Sequence, residues 1–185
     1  MAIHTKRALA DSLRKLLAHR PLDKITVRDI VEDCGVNRQT FYYHFRDIYD
    51  LLEWISKDII ERMIKDRRID YDNWTCGIDY IVEQMMKDRQ LILNVYYSVS
   101  HEAVSLFIKQ WIDPLVMSIV DQESAGLHVS EEDKQFVVKL FTLAITGFFT
   151  EWIENKMPEG KTKDLENIKQ TLDRSIHSLL QQFAA

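Results

Sequence analysis

Apolar residues return every three or four positions from early in the chain. Leu9, Leu13, Leu16 and Leu17 share one helical face, and the pattern ends at Pro21, soon after His19 and Arg20. A first helix covers this stretch. In ITVRDI, Thr26 and Asp29 stand at the spacing of a capping box, and Ile25 before the cap faces Ile30 after it as a hydrophobic staple. The second helix that starts there should stop at Cys34-Gly35, because glycine takes the left-handed conformation that a helix exit needs. Only Val36 precedes the next cap, Asn37, and Val36 with Phe41 repeats the staple spacing. Two short helices meeting across a turn of about three residues make a helix-turn-helix.

Beyond it, Asp47 caps a long helix through Leu51, Leu52, Ile55 and Ile59 that fades near KDRRID. Further helices are expected at about 73–87, 89–98 and 101–123, the last bent at Pro114, which cannot donate the helical hydrogen bond. Loops at DQESAGLHV and KMPEGKT frame two final helices of different character. Between Phe136 and Ile153 apolar residues point in almost every direction, as in a helix buried on more than one side. In the last helix Leu165, Ile168, Leu172, Ile176, Leu179 and Phe183 form a single stripe. A helix apolar all round implies a second buried contact, and a partner subunit is one natural source. The expected dimer contacts are Phe141, Phe148 and Trp152 with Leu172, Ile176 and Leu179.

Composition narrows the fold class. Five glycines and three prolines in 185 residues are too few for the turns of an all-β fold, so the expectation is all-α. The net charge of −5 is unevenly spread: residues 1–46 carry nine basic and five acidic side chains, a net +4, and the remainder a net −9. A basic head on an acidic body confines any attraction for a polyanion to the N-terminal part. The expected division is a helix-turn-helix domain at 1–46 and a helical domain at 47–185. Cys34 and Cys76 form no close-spaced pair, which fits a reducing compartment. The N-terminus has no apolar core of a leader, and the apolar run at 140–149 is short and flanked by charge, so a cytoplasmic protein with no membrane segment is expected.

The third helix carries the candidate chemistry. Phe41 and Phe45 are four apart and point inward, while Arg38 and Tyr42 share a second row and Gln39 and Tyr43 a third. Arginine can donate two hydrogen bonds to guanine, glutamine can pair with adenine, and an aromatic ring can pack on a thymine methyl. Tyrosine hydroxyl and protonated His44 suit phosphate oxygens, as does the positive end of helix two near Thr26. Such a face suits the major groove of double-stranded DNA.

The stretch KITVRDIVEDCGVNRQTFYYHFRDIYDLL resembles the DNA-binding region of TetR-family transcriptional regulators, with their Thr-Val-x-Asp-Ile start, Gly-Val turn and Thr-Phe/Leu-Tyr-x-His-Phe recognition helix. The resemblance implies about nine helices, a homodimer formed through the last two, and a C-terminal domain that senses an effector. It also implies a near-palindromic operator, with repression as the expected mode. Carried over by position, Arg38, Gln39 and Tyr42 would read bases, and Thr26, Arg28, Tyr43 and His44 would hold phosphate, with Thr40 of the motif also at the DNA surface. Where relatives often place a lysine, this chain has Ile48, and Arg46 is the expected substitute. RQTFY followed by LLEWI, and later IKQWIDPLV, is similar to the branch that includes regulators of dihydroxyacetone kinase operons.

Trp74, Tyr80, Met85, Tyr96, Tyr97 and Trp111 are candidates to line an effector cavity, and equally to be core. The alternative is a C-terminal domain that binds a protein partner instead of a small ligand, acting as a co-regulator. His101, Glu102, His128 and His177 lack the spacing of a zinc site, so no metal and no cofactor are expected. With no phosphate-binding glycine loop and no nucleophile beside a base, an enzyme is not expected.

Overall fold

The computed structural model describes residues 2–65, 74–158 and 163–184. Among these the chain forms nine α-helices and one 3-10 turn, with no strand, in agreement with the all-α expectation. The helices are α1 (Ala2–Leu17), α2 (Val27–Cys34), α3 (Arg38–His44), α4 (Ile48–Lys65), α5 (Trp74–Lys87), α6 (Arg89–Tyr96), α7 (His101–Glu123), α8 (Glu131–Glu154) and α9 (Lys163–Phe183); the turn is Leu22–Lys24. Helix α1 begins well ahead of the apolar pattern that announced it. The rest of KDRRID, past Lys65, lies outside the described residues.

Local chemistry sets the boundaries. The Thr26 hydroxyl accepts from Asp29 N–H at 3.2 Å, and the Asp29 carboxylate accepts from Thr26 N–H at 2.8 Å, closing the capping box. Gly35 ends α2 at φ 71°, a left-handed conformation that places Val36 N–H 3.0 Å from the carbonyl of Val31. Asn37 Oδ1 accepts from Thr40 N–H at 2.8 Å and starts α3. At α4, Asp47 accepts from Asp50 N–H at 2.9 Å while Asp50 accepts from Arg46 N–H at 2.8 Å.

The chain falls into two compact units, Met1–Ile69 with Asp79–Val99, and Asp70–Ile78 with Ser100–Ala185. The first unit is larger than the 1–46 segment. Its core joins Leu9, Leu13 and Leu17 of α1 to Ile30, Val31, Phe41 and Phe45, and then to Leu51 and Ile55 of α4, with Leu91, Val95 and Val99 packed against it. Polar ties run the same way: Asn94 Nδ2 donates to the carbonyl of Leu17 at 2.7 Å, and Arg14 meets Asp88 at 2.5 Å. Leu17 is the last residue of α1, so Asn94 satisfies one of the carbonyls that a helix end leaves open. Asp88, at the N-cap of α6, makes no side-chain cap there and spends its carboxylate on Arg14.

The second unit is built on α7, α8 and α9. Val137, Phe141, Ile145, Phe149 and Trp152 of α8 are buried with Val116 and Val120 of α7 and with Leu165, Leu172, Ile176 and Leu180 of α9. Both α7 and α8 are long and apolar enough to cross a membrane by length and composition, which the sequence reading did not anticipate. Half of the apolar window of α8 is buried inside the protein, the pattern of a core helix. At the end of α8, Lys156 and Met157 both adopt positive φ, 64° and 49°, and Met157 turns back into the core with its N–H 2.8 Å from the carbonyl of Trp152.

Candidate nucleic-acid interface

Helix α3 divides its residues between two tasks. Phe41 and Phe45 are buried, their rings 6.0 Å apart, and Phe45 meets Trp54 of α4 edge-on at 6.0 Å. With that side fixed, Arg38, Gln39, Tyr42 and Tyr43 face outward; Tyr43 is 82% exposed and Tyr42 51%. Arg38 lies over the Tyr42 ring with its guanidinium carbon 6.0 Å from the centroid and Nη2 3.4 Å from the phenol oxygen. This contact narrows the range of a long side chain without using up its remaining donors.

The flanking candidates are more occupied. The Thr26 hydroxyl donates to Asp29 at 2.6 Å, and Thr40 donates to Asn37 at 3.0 Å. The bonds from Thr26 hold the Asp29 carboxyl below the ordinary carboxylate range, with the Arg20 guanidinium 3.6 Å away. The positive end of α2 therefore already carries a carboxylate of its own. Arg28 pairs with Glu32 at 2.6 Å, which raises its pKa further, and Arg46 reaches Asp47 at 3.2 Å. His44 is half-buried with its ring 4.9 Å from that of Tyr43. Cys34 is half-buried beneath this surface, and burial pushes its thiol up, away from reactivity.

The two other candidate sets are placed differently. Of the expected dimer contacts, Phe141, Trp152, Leu172 and Ile176 are taken up by this chain's own core, while Phe148 and Leu179 are half-buried. The apolar residues that α8 leaves uncovered are Phe136, Leu140 and Leu143, 53, 45 and 48% exposed, with Ala144 and Gly147 beside them. Phe136 also meets Phe183 of α9 edge-on at 6.0 Å. Of the effector candidates, Tyr80, Met85 and Trp111 are half-buried, Tyr96 is buried and Tyr97 exposed; the side chain of Trp74 lies outside the described residues. A cavity of about 480 Å³ opens between α7 and α8, lined by Lys109, Pro114, Met117, Gln135, Lys139 and Thr142 among others, and by none of the five described candidates.

One supporting residue escaped the sequence reading. Ser12 is buried on α1 and its hydroxyl bonds both the carbonyl of Ile30, at 3.0 Å, and Asp33, at 2.9 Å. Lys15 grips the other oxygen of Asp33 at 2.5 Å, and the two together pull the Asp33 carboxyl below its ordinary range. The signal was a serine set in the apolar stripe of α1.

An outward Arg/Gln/Tyr face on the second helix of a helix-turn-helix, within a basic N-terminal segment, defines a DNA-binding transcriptional regulator. Residues 9–55 match the bacterial regulatory proteins of the tetR family, and residues 72–174 match a transcriptional regulator C-terminal region. The chain belongs to the TetR family. It is 26% identical over 153 residues to the HTH-type dhaKLM operon transcriptional activator DhaS of Lactococcus lactis subsp. lactis (strain IL1403), a match covering 82% of this chain and 81% of the relative. Two solved structures share the fold. The dihydroxyacetone kinase operon activator DhaS superposes with a TM-score of 0.72 at 21% identity over 99% of both chains. A TetR transcriptional regulator from Streptococcus agalactiae 2603V does so at 0.61 and 17%, over 97% of this chain and 95% of the other.

Proposed function

We propose that two copies of the chain bind a near-palindromic operator as a two-fold dimer in the cytoplasm, each laying α3 in a major groove, and that an effector acting on the C-terminal region alters that affinity. The observation that carries the reading is the division of α3: Phe41 and Phe45 buried, and Arg38, Gln39, Tyr42 and Tyr43 outward on the same short helix. Arg38, Gln39 and Tyr42 address base edges, and Tyr43, His44, Thr40 and Arg46 address the backbone, with Thr26 and Arg28 at the start of α2 on the same duty. The uncovered Phe136, Leu140 and Leu143 support a contact between two copies through α8. Two-fold symmetry then sets the half-sites about 34 Å apart or a small multiple of that. This reading calls for no catalysis and no cofactor.

Whether a bound dimer raises or lowers transcription depends on where its operator lies relative to the promoter. The relative's name says activation and the sequence expectation is repression; a promoter–reporter measurement with and without the chain tells them apart. A duplex enriched by the purified protein from a randomised pool tests the DNA reading itself. Arg38→Ala and Gln39→Ala should relax choice at particular base pairs, each losing about 1–3 kcal/mol there, whereas Tyr43→Ala and His44→Ala should weaken all sequences together. No enrichment, or no effect of either pair, would overturn the groove assignment.

A protein effector is the second reading, and exposed Leu106 and Phe107 on α7 favour it. Charge at Leu106 would then abolish regulation while leaving operator affinity intact.

A further inference from the structure

The face of α1 that enters the core is written Lys6, Leu9, Leu13, Leu17, three or four apart; the three leucines are fully buried, and the first position on that line is a lysine. Packing alone would place another apolar residue there. Instead the Lys6 ammonium stands 5.3 Å from the centroid of Phe45 and 5.8 Å from that of Trp54, over two rings that themselves meet at 6.0 Å. Phe45 is the residue at which the chain leaves α3, directly after Tyr43 and His44. The rings therefore hold a cation at the carboxyl end of the recognition helix.

Lys6 is half-exposed and has no ion-pair partner among the described residues, whereas Lys15, Arg14, Arg28 and Arg46 all do. Ile48 leaves the start of α4 without a cation of its own, and Arg46, the substitute expected from the sequence, already shares its charge with Asp47. We propose that Lys6 is a DNA-backbone contact, a cation pre-positioned by Phe45 and Trp54 to take one phosphate at the end of the half-site beside α3. A lysine in solution loses much rotamer freedom when it grips a phosphate; one already held over two rings has lost part of it beforehand. Its three donors leave some free while the rings take one face of the ammonium. Lys6 lies outside the residues 9–55 that match the family.

The proposal rests on the DNA reading above and is tested so that the two can fail separately. Affinity of the full chain is measured against salt concentration on two duplexes, one selected from a randomised pool and one of unrelated sequence. Lys6→Met keeps the stem over the rings and removes the charge. With one phosphate per subunit, the slope of log affinity against log salt should become shallower by about 2 on a two-fold site, and binding at about 0.1 M salt should weaken about tenfold or more. Base preference should stay as in the native chain. Lys6→Arg should restore the slope, and Lys6→Gln should behave as Lys6→Met, so a loss of folding in any one variant leaves the others to decide. A lysine that only packs would lower the melting temperature in Lys6→Met and leave the slope alone, and that result overturns the proposal. Failure of the native chain to bind either duplex would instead sink the DNA reading.

Discussion

If two copies meet through α8 as proposed, Leu140→Glu should split the dimer without unfolding the chain. Leu140 is 45% exposed, which leaves about 75 Å² of apolar surface, worth about 2 kcal/mol when covered by a partner. A two-fold contact counts it twice, so its loss amounts to about 4 kcal/mol, or about a thousandfold in the dimer dissociation constant. Glutamate adds a like charge on each side of the axis and pushes in the same direction. Leu172→Glu is the internal contrast, because Leu172 is 3% exposed in the core of the second unit and a carboxylate there should unfold the protein instead. Sedimentation velocity at micromolar concentration, with circular dichroism on the same samples, reads both. A Leu140→Glu chain that stays dimeric, or a Leu172→Glu chain that is folded and monomeric, would refute the placement of the subunit contact on the uncovered side of α8.

Three further outcomes are expected. Phe41→Ala empties a fully buried position under α3 and should cost about 3–5 kcal/mol in denaturant unfolding. Gly35→Ala meets no atom within 4 Å, so its penalty, about 1 kcal/mol in the same assay, comes from the left-handed backbone alone. Asp33 is held below its ordinary value of 3.8 by Lys15 and then Ser12. Its stabilising contribution is complete above that value and is lost as pH falls through the depressed one. Thermal midpoints taken down an acid series should fall less steeply for Asp33→Asn than for the native chain.

What the sequence disclosed followed the range of the forces involved. The cap at Thr26–Asp29, the exit at Gly35 and the cap at Asn37 are settled within a few residues, and each stands where the letters put it. The inward and outward sides of α3 were legible for the same reason, since a fourfold spacing of phenylalanines defines them. The sides of α8 were not. A helix with apolar residues all round does not say which of them its own chain will claim, and the core of the second unit buries Phe141 and Trp152 while leaving Leu140 and Leu143 exposed. Nor could spacing show Asn94 reaching Leu17, a contact 77 positions apart along the chain. Nor does spacing single out Lys6 among the basic residues near the N-terminus, since the rings of Phe45 and Trp54 reach it from distant positions in the chain.

The bond from Asn94 to Leu17, with Arg14 on Asp88, also bears on how such regulators can be recombined. A hybrid that grafts residues 1–46 onto a foreign body would strip α1 of the amide that closes its last turn and would bare the side of the core that Leu51, Leu91, Val95 and Val99 cover. The compact unit that holds α3 also takes in Asp79–Val99, so it extends past α6 and does not end after α3. A seam that separates α1 from α6 therefore has to replace both halves of that tie.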